Sequence, residues 1–288
     1  MLERTSLVVA GLAGVGLILF LLERFVPLRE SKAQLMGRLL VNLAFSALAL
    51  AAATLLVRPV VEASFARLAD RPTGLMQWTS LPAPAQGVLA FLLMDLSFYY
   101  WHLLNHRVPF FWRFHNIHHM DPDLDVSTAL RFHFGELAFS AGFRIVQILV
   151  IGVSPWVYAA YELVFHANTL FQHSNLRLPI RLERVLARFL VTPRMHGIHH
   201  SQVRRETNSN YGVVFPWWDR LHRTLGLDIP QAALTIGVPG YSHPEDNRLW
   251  NAAWLPFRRQ RDYWRRPDGS LVEREATARA GEPHRLAE

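Results

Sequence analysis

The run "LLVNLAFSALALAAATLLV" (39 to 57) sets the strongest limit on the fold, because only Asn42 and two hydroxyl side chains dilute its apolar residues. As a helix rising 1.5 Å per residue it covers the roughly 30 Å of a bilayer core and pairs its own backbone groups. "SLVVAGLAGVGLILFLL" (6 to 22) lacks a basic n-region and an A-x-A site, so it reads as an anchor rather than a removable signal. "GVLAFLLMDLSFYYWHLL" (87 to 104) carries Asp95 and ends in the aromatic cluster Phe98 to Trp101, of the kind that sits at a bilayer interface. An intramembrane acid is a functional suspect by default. "LAFSAGFRIVQILVIGV" (137 to 153) and "PWVYAAYELVFHANTLF" (155 to 171) meet at Ser154 and Pro155 and read as a tight helical hairpin. Arg144, Gln147, Glu162 and His166 dilute this pair, which leaves a full crossing and a re-entrant hairpin both open. The pattern predicts an all-α integral membrane protein with about four to five membrane helices, three spans plus the hairpin.

Composition agrees. Hydrophobic residues make up 51% of the 288 and charged residues 18%, below the roughly 25% of soluble domains. The absence of cysteine excludes disulfides, thiolate zinc sites, iron–sulfur clusters and cysteine nucleophiles. The formal charge of +7 does not point to nucleic acid, because the basic residues flank apolar runs rather than form one patch. Arg24, Arg29, Lys32 and Arg38 fall in the first connection, and Arg107, Arg113 and Arg131 in the third. Arg58, Arg67 and Arg71 fall in the second and run against the trend. With the basic region after residue 173, the positive-inside rule puts the first and third connections and the C-terminal region in the cytoplasm, at the inner membrane if the source is bacterial.

From about 173 to 242 the chain is more polar, with a helix-compatible stretch at 180 to 191. "RLWNAAWLPFRRQRDYWRR" (248 to 266) alternates aromatic and basic residues and suits a helix at a lipid surface or an ordinary amphipathic helix. From Pro267 onward the sequence reads as a flexible tail.

Histidine is the unusual feature. His102 and His106 form H-x-x-x-H at the end of the third run; His115, His118 and His119 form H-x-x-H-H after Pro109. His196, His199 and His200 repeat H-x-x-H-H about eighty residues later, and His133, His166 and His173 lie between. A lone interfacial histidine is usually a polar anchor, but three dense clusters with a repeated pattern point to metal. One divalent ion takes four to six ligands, so eight or nine histidines suit two ions. Imidazole suits Fe, Zn, Cu or Ni alike. Neutral ligands leave the metal charge uncancelled, which calls for bridging anions or nearby carboxylates. Asp95, seven residues before His102 and on its helical face, either orients that histidine or makes a packing hydrogen bond between helices.

"DLSFYYWHLLNH" (95 to 106), "HNIHH" (115 to 119), "MHGIHH" (195 to 200) and "NYGVVFPWWDRL" (210 to 221) resemble the fatty acid hydroxylase and sterol desaturase superfamily of integral-membrane di-iron enzymes. The resemblance covers roughly residues 85 to 225; "RFHFGE" and "FQHSN" also match, whereas "DRLHRT" departs where relatives usually have Phe-Gly in place of His222 and Arg223. It implies two Fe ions, with zinc as a substitute in purified protein, and dioxygen as cosubstrate. It implies as metal ligands His102, His106, His115, His118, His119, His173, His196, His199 and His200. His133 and His166 remain, with Asp95, as candidates for supporting roles. The implied activity is O2-dependent hydroxylation or desaturation of a lipid: a sterol, fatty acyl chain or ether lipid. No haem domain, flavin fingerprint or cysteine-held cluster is present, so a separate electron donor of reductase, ferredoxin or cytochrome type is implied. The organisation expected is anchor helices over 1–84, a di-iron catalytic domain over 85–225, an amphipathic interfacial segment over 226–266 and the tail over 267–288. The histidine boxes would form a helical cap on the cytoplasmic side.

Two other classes compete. A membrane zinc hydrolase is weakened by the lack of H-E-x-x-H, which removes the usual glutamate base. A non-catalytic metal-binding membrane protein would line a path through the bilayer with histidines, yet the dense clusters lie outside the apolar runs.

Overall fold

The apolar runs fold as long helices whose ends carry a polar cap. The structure, a computed structural model, describes residues 2–274; the part of the expected tail beyond residue 274 lies outside the described residues. Helix α1 (Leu2–Phe25) is followed by α2 (Leu35–Ala52), a π turn over Ala53–Val57 and α3 (Arg58–Asp70). These last three are continuous, so the helix outlasts the apolar run that announced it. Pro59 follows the π turn, where the ladder is already re-registered and its missing N–H costs least. Arg58 and Arg67, expected in a connection, lie on this helix instead.

Helix α4 (Ala83–Arg107) ends at the extended Val108, and Pro109 opens α5 (Pro109–His119). The hairpin forms as expected from α6 (Phe134–Ile151) and α7 (Pro155–His173). Ser154 caps α7 through the Val157 N–H, and Gly152 closes α6 with φ 70°. A side chain there would collide with the Thr73 carbonyl, and one at Gly74 (φ 100°) with the Gly152 backbone, so this crossing requires two glycines. Short helices α8 (Ile180–Leu186), α9 (Pro193–His199), α10 (Arg204–Thr207) and α11 (Trp217–His222) build the cap, and α12 (Leu249–Trp254) packs against α2. No β-strand occurs among the described residues beyond isolated bridges. The expected helix over 248 to 266 is corrected: it is helical only over 249–257, because Pro256 interrupts it. Trp250, Trp254 and Phe257 nonetheless stay exposed.

Three helical stretches among the described residues are long and apolar enough to cross a membrane: Leu35–Trp78, Ala83–Arg107 and Phe134–Ile151. Between α4, α6 and α7 lies an aromatic core of Phe98, Phe165, Tyr161 and Met94, with Phe98 stacked on Phe165 at 4.7 Å. Three of the four polar residues that dilute the hairpin are partnered within it or with α4. Arg144 bonds Glu162 at 3.0 Å and lies over the Phe98 ring, and Gln147 donates to Ser97 at 2.6 Å. Part of the basic first connection is likewise spent internally. Arg38 is buried and pairs with Asp121 at 3.0 Å and with Asp125, while Asp123 accepts from the Lys32 and Ala33 N–H groups. This network ties the start of α2 to the loop after α5.

Candidate metal centre

Helix geometry decides where each imidazole points. Successive residues on an α-helix are turned by about 100°, so in H-x-x-H-H the first and last histidines share a face and the middle one stands roughly 100° from its neighbour. The structure divides the boxes along this line. His102, His106, His115, His119 and His199 form one group, and His118, His173, His196 and His200 a second. In each group one ring nitrogen per residue lies within 4.8 Å of every other. The i, i+4 pair of α5 thus serves one group and that of α9 the other, and the remaining histidine of each box crosses over. "MHGIHH" therefore contributes to both groups, His199 to the first and His196 and His200 to the second.

All nine expected ligands fall in these groups. Helix α4 supplies the first pair, α5 the next three, α9 two more with His200 as its C-cap, and His173 arrives as the last residue of α7. Gly197 lets α9 dock, since a side chain there would meet the Arg29 guanidinium at 2.4 Å. Arg29 in turn donates to Gln231 at 2.6 Å.

Four of the outer ring nitrogens are held by the surroundings. His102 Nδ1 faces the Tyr211 carbonyl at 2.9 Å, and His199 Nδ1 the Ser209 carbonyl at 2.7 Å. His115 Nδ1 meets Glu136 at 3.0 Å, and His173 Nδ1 the Thr169 carbonyl at 2.7 Å. Such contacts fix the tautomer with the proton on Nδ1 and leave Nε2 free to ligate. Inside the first group the Nε2 atoms of His106, His115, His119 and His199 are buried without a hydrogen-bond partner. In the second, Nε2 atoms crowd together: His173 to His118 at 3.0 Å, His196 to His173 at 2.9 Å and His200 to His196 at 3.1 Å. Nitrogens roughly 2.0–2.1 Å from one ion stand about 3 Å apart, so this donor set fits a metal. Burial, reinforced by the neighbouring imidazoles, holds His118, His119, His196 and His200 well below the usual histidine range. Burial likewise pushes His199 down to about 3, although its bond to Ser209 opposes this. Neutral imidazole is the state that ligation requires.

The three supporting candidates lie elsewhere. Asp95 accepts from Tyr161 Oη, the Phe215 N–H and Trp218 Nε1 at 3.1, 3.1 and 2.8 Å. Two helical turns, about 10.5 Å, separate it from the level of His102, whose Nδ1 is taken by Tyr211. Its packing role is therefore the one observed: it pins the 215–218 segment to α4. His133 caps α6, accepting from the Gly135 N–H at Nδ1 and facing the Ala253 carbonyl at 2.9 Å through Nε2. His166 is partly exposed, 3.8 Å from Glu162, and two turns short of His173.

Sequence reasoning missed Glu136, which lies in "RFHFGE" beside the more conspicuous His133. An acid three residues into a helix that abuts a histidine box was the available signal. Glu136 is also the nearby carboxylate that charge balance called for, and its second oxygen is buried without a partner. No carboxylate belongs to either group itself among the described residues. Asp219 was also missed. It accepts from the Tyr211 and Gly212 N–H groups and from Thr224 Oγ1 at 2.7–2.8 Å, which sets the carbonyl that holds His102.

Residues 87–224 match the family model "Fatty acid hydroxylase". Relatives include the ornithine lipid hydroxylase OlsE of Rhizobium tropici, 30% identical over 57% of this chain and 48% of its own length. Human alkylglycerol monooxygenase is 30% identical over 54% of this chain and 33% of its own. Mouse cholesterol 25-hydroxylase is 25% identical over 58% and 59%. The chain thus spans about a third to three fifths of the length of these relatives. No solved structure matches it. All nine clustered histidines fall inside the matched segment, the part of the chain that is similar to the fatty acid hydroxylases.

Proposed function

We propose that this chain is a membrane-bound oxidoreductase that uses O2 and two external electrons to hydroxylate an apolar C–H bond of a lipid. The single observation that carries this reading is the division of nine histidines, all but the half-buried His106 well inside the protein, into adjoining groups of five and four. His102, His106, His115, His119 and His199 hold one iron ion, and His118, His173, His196 and His200 hold the other. Two bound iron ions supply the oxygen-activating redox chemistry that acid–base side chains lack against an unactivated C–H bond. Glu136 keeps the His115 proton on Nδ1 and adds negative charge beside a cationic centre. The carbonyls of Tyr211, Ser209 and Thr169 orient three more rings.

The relatives named above are hydroxylases and a monooxygenase, acting on ornithine lipid, alkylglycerol and cholesterol, which favours hydroxylation over desaturation. Helix α1, the long α2–α3 helix, α4 and the α6–α7 hairpin make up the four to five membrane elements, with the histidines on the cytoplasmic side. Electrons come from a separate donor.

Lipid mass spectrometry of cells with and without the gene, grown under isotopically labelled dioxygen, tests this reading. The expected result is a lipid carrying one labelled oxygen atom, absent when His199→Ala replaces the wild type. A lipidome unchanged by the gene, together with a purified protein that takes up no iron, would overturn it.

A further inference from the structure

A cleft of about 1000 Å³ opens on the cap at the edge of the five-histidine group. Its floor includes His106 and Trp112, and its walls include Pro109, Val203 and Leu271. Arginines crowd the rim: Arg107, Arg204, Arg205, Arg265 and Arg274. Three of these are occupied: Arg265 lies 3.4 Å from Asp262, Arg274 bonds Glu206 at 2.6 Å and Arg107 hydrogen-bonds Tyr211. Arg204 and Arg205 have no carboxylate partner among the described residues, and Arg204 lies 5.9 Å from the Trp264 ring. Trp264 stacks on the buried Trp112 at 5.7 Å, and Trp112 lies 4.8 Å from the His106 ring. Two buried donor or acceptor atoms of the floor residues, Trp112 Nε1 and His106 Nε2, have no partner.

This arrangement has a largely aromatic floor under a rim where Arg204 and Arg205, without carboxylate partners, outnumber the one remaining acid, Glu273. We infer that the cleft binds the headgroup of an anionic amphiphile, its phosphate or carboxylate held by Arg204 and Arg205 and its first carbons packed against Trp264 and Trp112. The volume is that of a small-molecule site, and guanidinium groups recognise oxyanions by paired, charge-assisted hydrogen bonds. The inference rests on the proposed function and narrows it: among apolar lipids, those with an oxyanion in the headgroup are the substrates. Neutral sterols and neutral glycerides lack the group that the rim selects.

Native mass spectrometry of the full-length protein in a neutral detergent tests this without turnover. The probes are 1-oleoyl lysophosphatidate, monoolein and inorganic phosphate. In the wild type, lysophosphatidate is expected to bind about tenfold more tightly than monoolein. Arg204→Gln with Arg205→Gln removes most of that preference at unchanged helicity, and the double Lys variant retains part of it. Equal binding of lysophosphatidate and monoolein by the wild type overturns the inference, as does an unaltered preference in the Gln variant. Displacement of lysophosphatidate by an equal concentration of inorganic phosphate also overturns it, because the site would then be one for a free anion. The two readings fail separately. Oxidation of lipids with no headgroup preference sinks the cleft alone, whereas selective binding by a protein that takes up no iron sinks the oxidoreductase alone.

Discussion

The two histidine groups share helices α5 and α9 yet differ in their surroundings. The group of five has three of its rings tied down from behind, by Tyr211, Ser209 and Glu136, and one member, His106, lies in a cleft open to solvent. The group of four is fully buried, and only His173 has its outer nitrogen bonded within the protein. The open group has the orientation and access that a reacting substrate needs. The closed group has the tight convergence of nitrogens that an ion would need. The pair teaches that a repeated sequence pattern need not mean repeated roles, since two copies of H-x-x-H-H contribute to both groups in opposite proportions.

Substitutions can break this comparison, and the largest effect belongs to the ligands. His119→Ala in the open group and His200→Ala in the closed one are each expected to abolish oxidation, but each to cost one iron rather than two. Iron counted per chain on proteins of matched helicity checks this. Loss of both ions from either variant would mean that the groups are one site.

Next comes Glu136→Gln, which keeps the shape and removes the charge beside His115. A loss of about 10–100-fold in iron affinity or activity is expected in the open group, with the closed group unaffected. Titration of the metal-free protein with Fe(II) measures it. A smaller structural effect is predicted for Asp219→Ala, which strands the Tyr211 and Gly212 N–H groups. Stability should fall by about 1–3 kcal/mol, read by thermal or denaturant unfolding in detergent, and the His102 contact should loosen. The smallest effect is expected at His166, which touches neither group. His166→Ala should leave iron content and turnover unchanged and move stability by no more than about 0.5 kcal/mol. Lost iron in that variant would show that α7 contributes more than His173.

Much of this centre was legible because its chemistry sits in side chains at helical spacing. Eight of the nine clustered histidines announce themselves by i, i+3 and i+4 placement. Even the crossing of His118 and His199 follows from their angle on the helix. His173 depended on the likeness to a family, since one histidine at a helix end carries no spacing of its own. The Tyr211, Ser209 and Thr169 carbonyls were beyond reach, because every residue has one and only the fold says where it points.

The fold shows the same division. The apolar runs marked the long helices and the hairpin, because burial in lipid demands continuous hydrophobicity. The length of the second helix was underestimated, since α3 continues past Val57 with polar residues once the π turn has accommodated Pro59. The 248 to 266 segment was overread as helix, because alternating Trp and Arg outweighed Pro256. The departure at "DRLHRT" also has a local meaning. Arg223 adopts φ 60°, a conformation that favours the glycine that the family resemblance implies there, and His222 stacks on Tyr99 at 4.7 Å.

The claim that these histidines form two neighbouring metal sites is tested most directly by Fe(II) reconstitution of the metal-free protein under anaerobic conditions. Metal analysis and Mössbauer spectroscopy then count and distinguish the ions. Two irons per chain in unlike histidine environments are predicted, falling to one in His200→Ala with the signal of the five-histidine site retained. Saturation at a single iron per chain in the wild type would contradict the account.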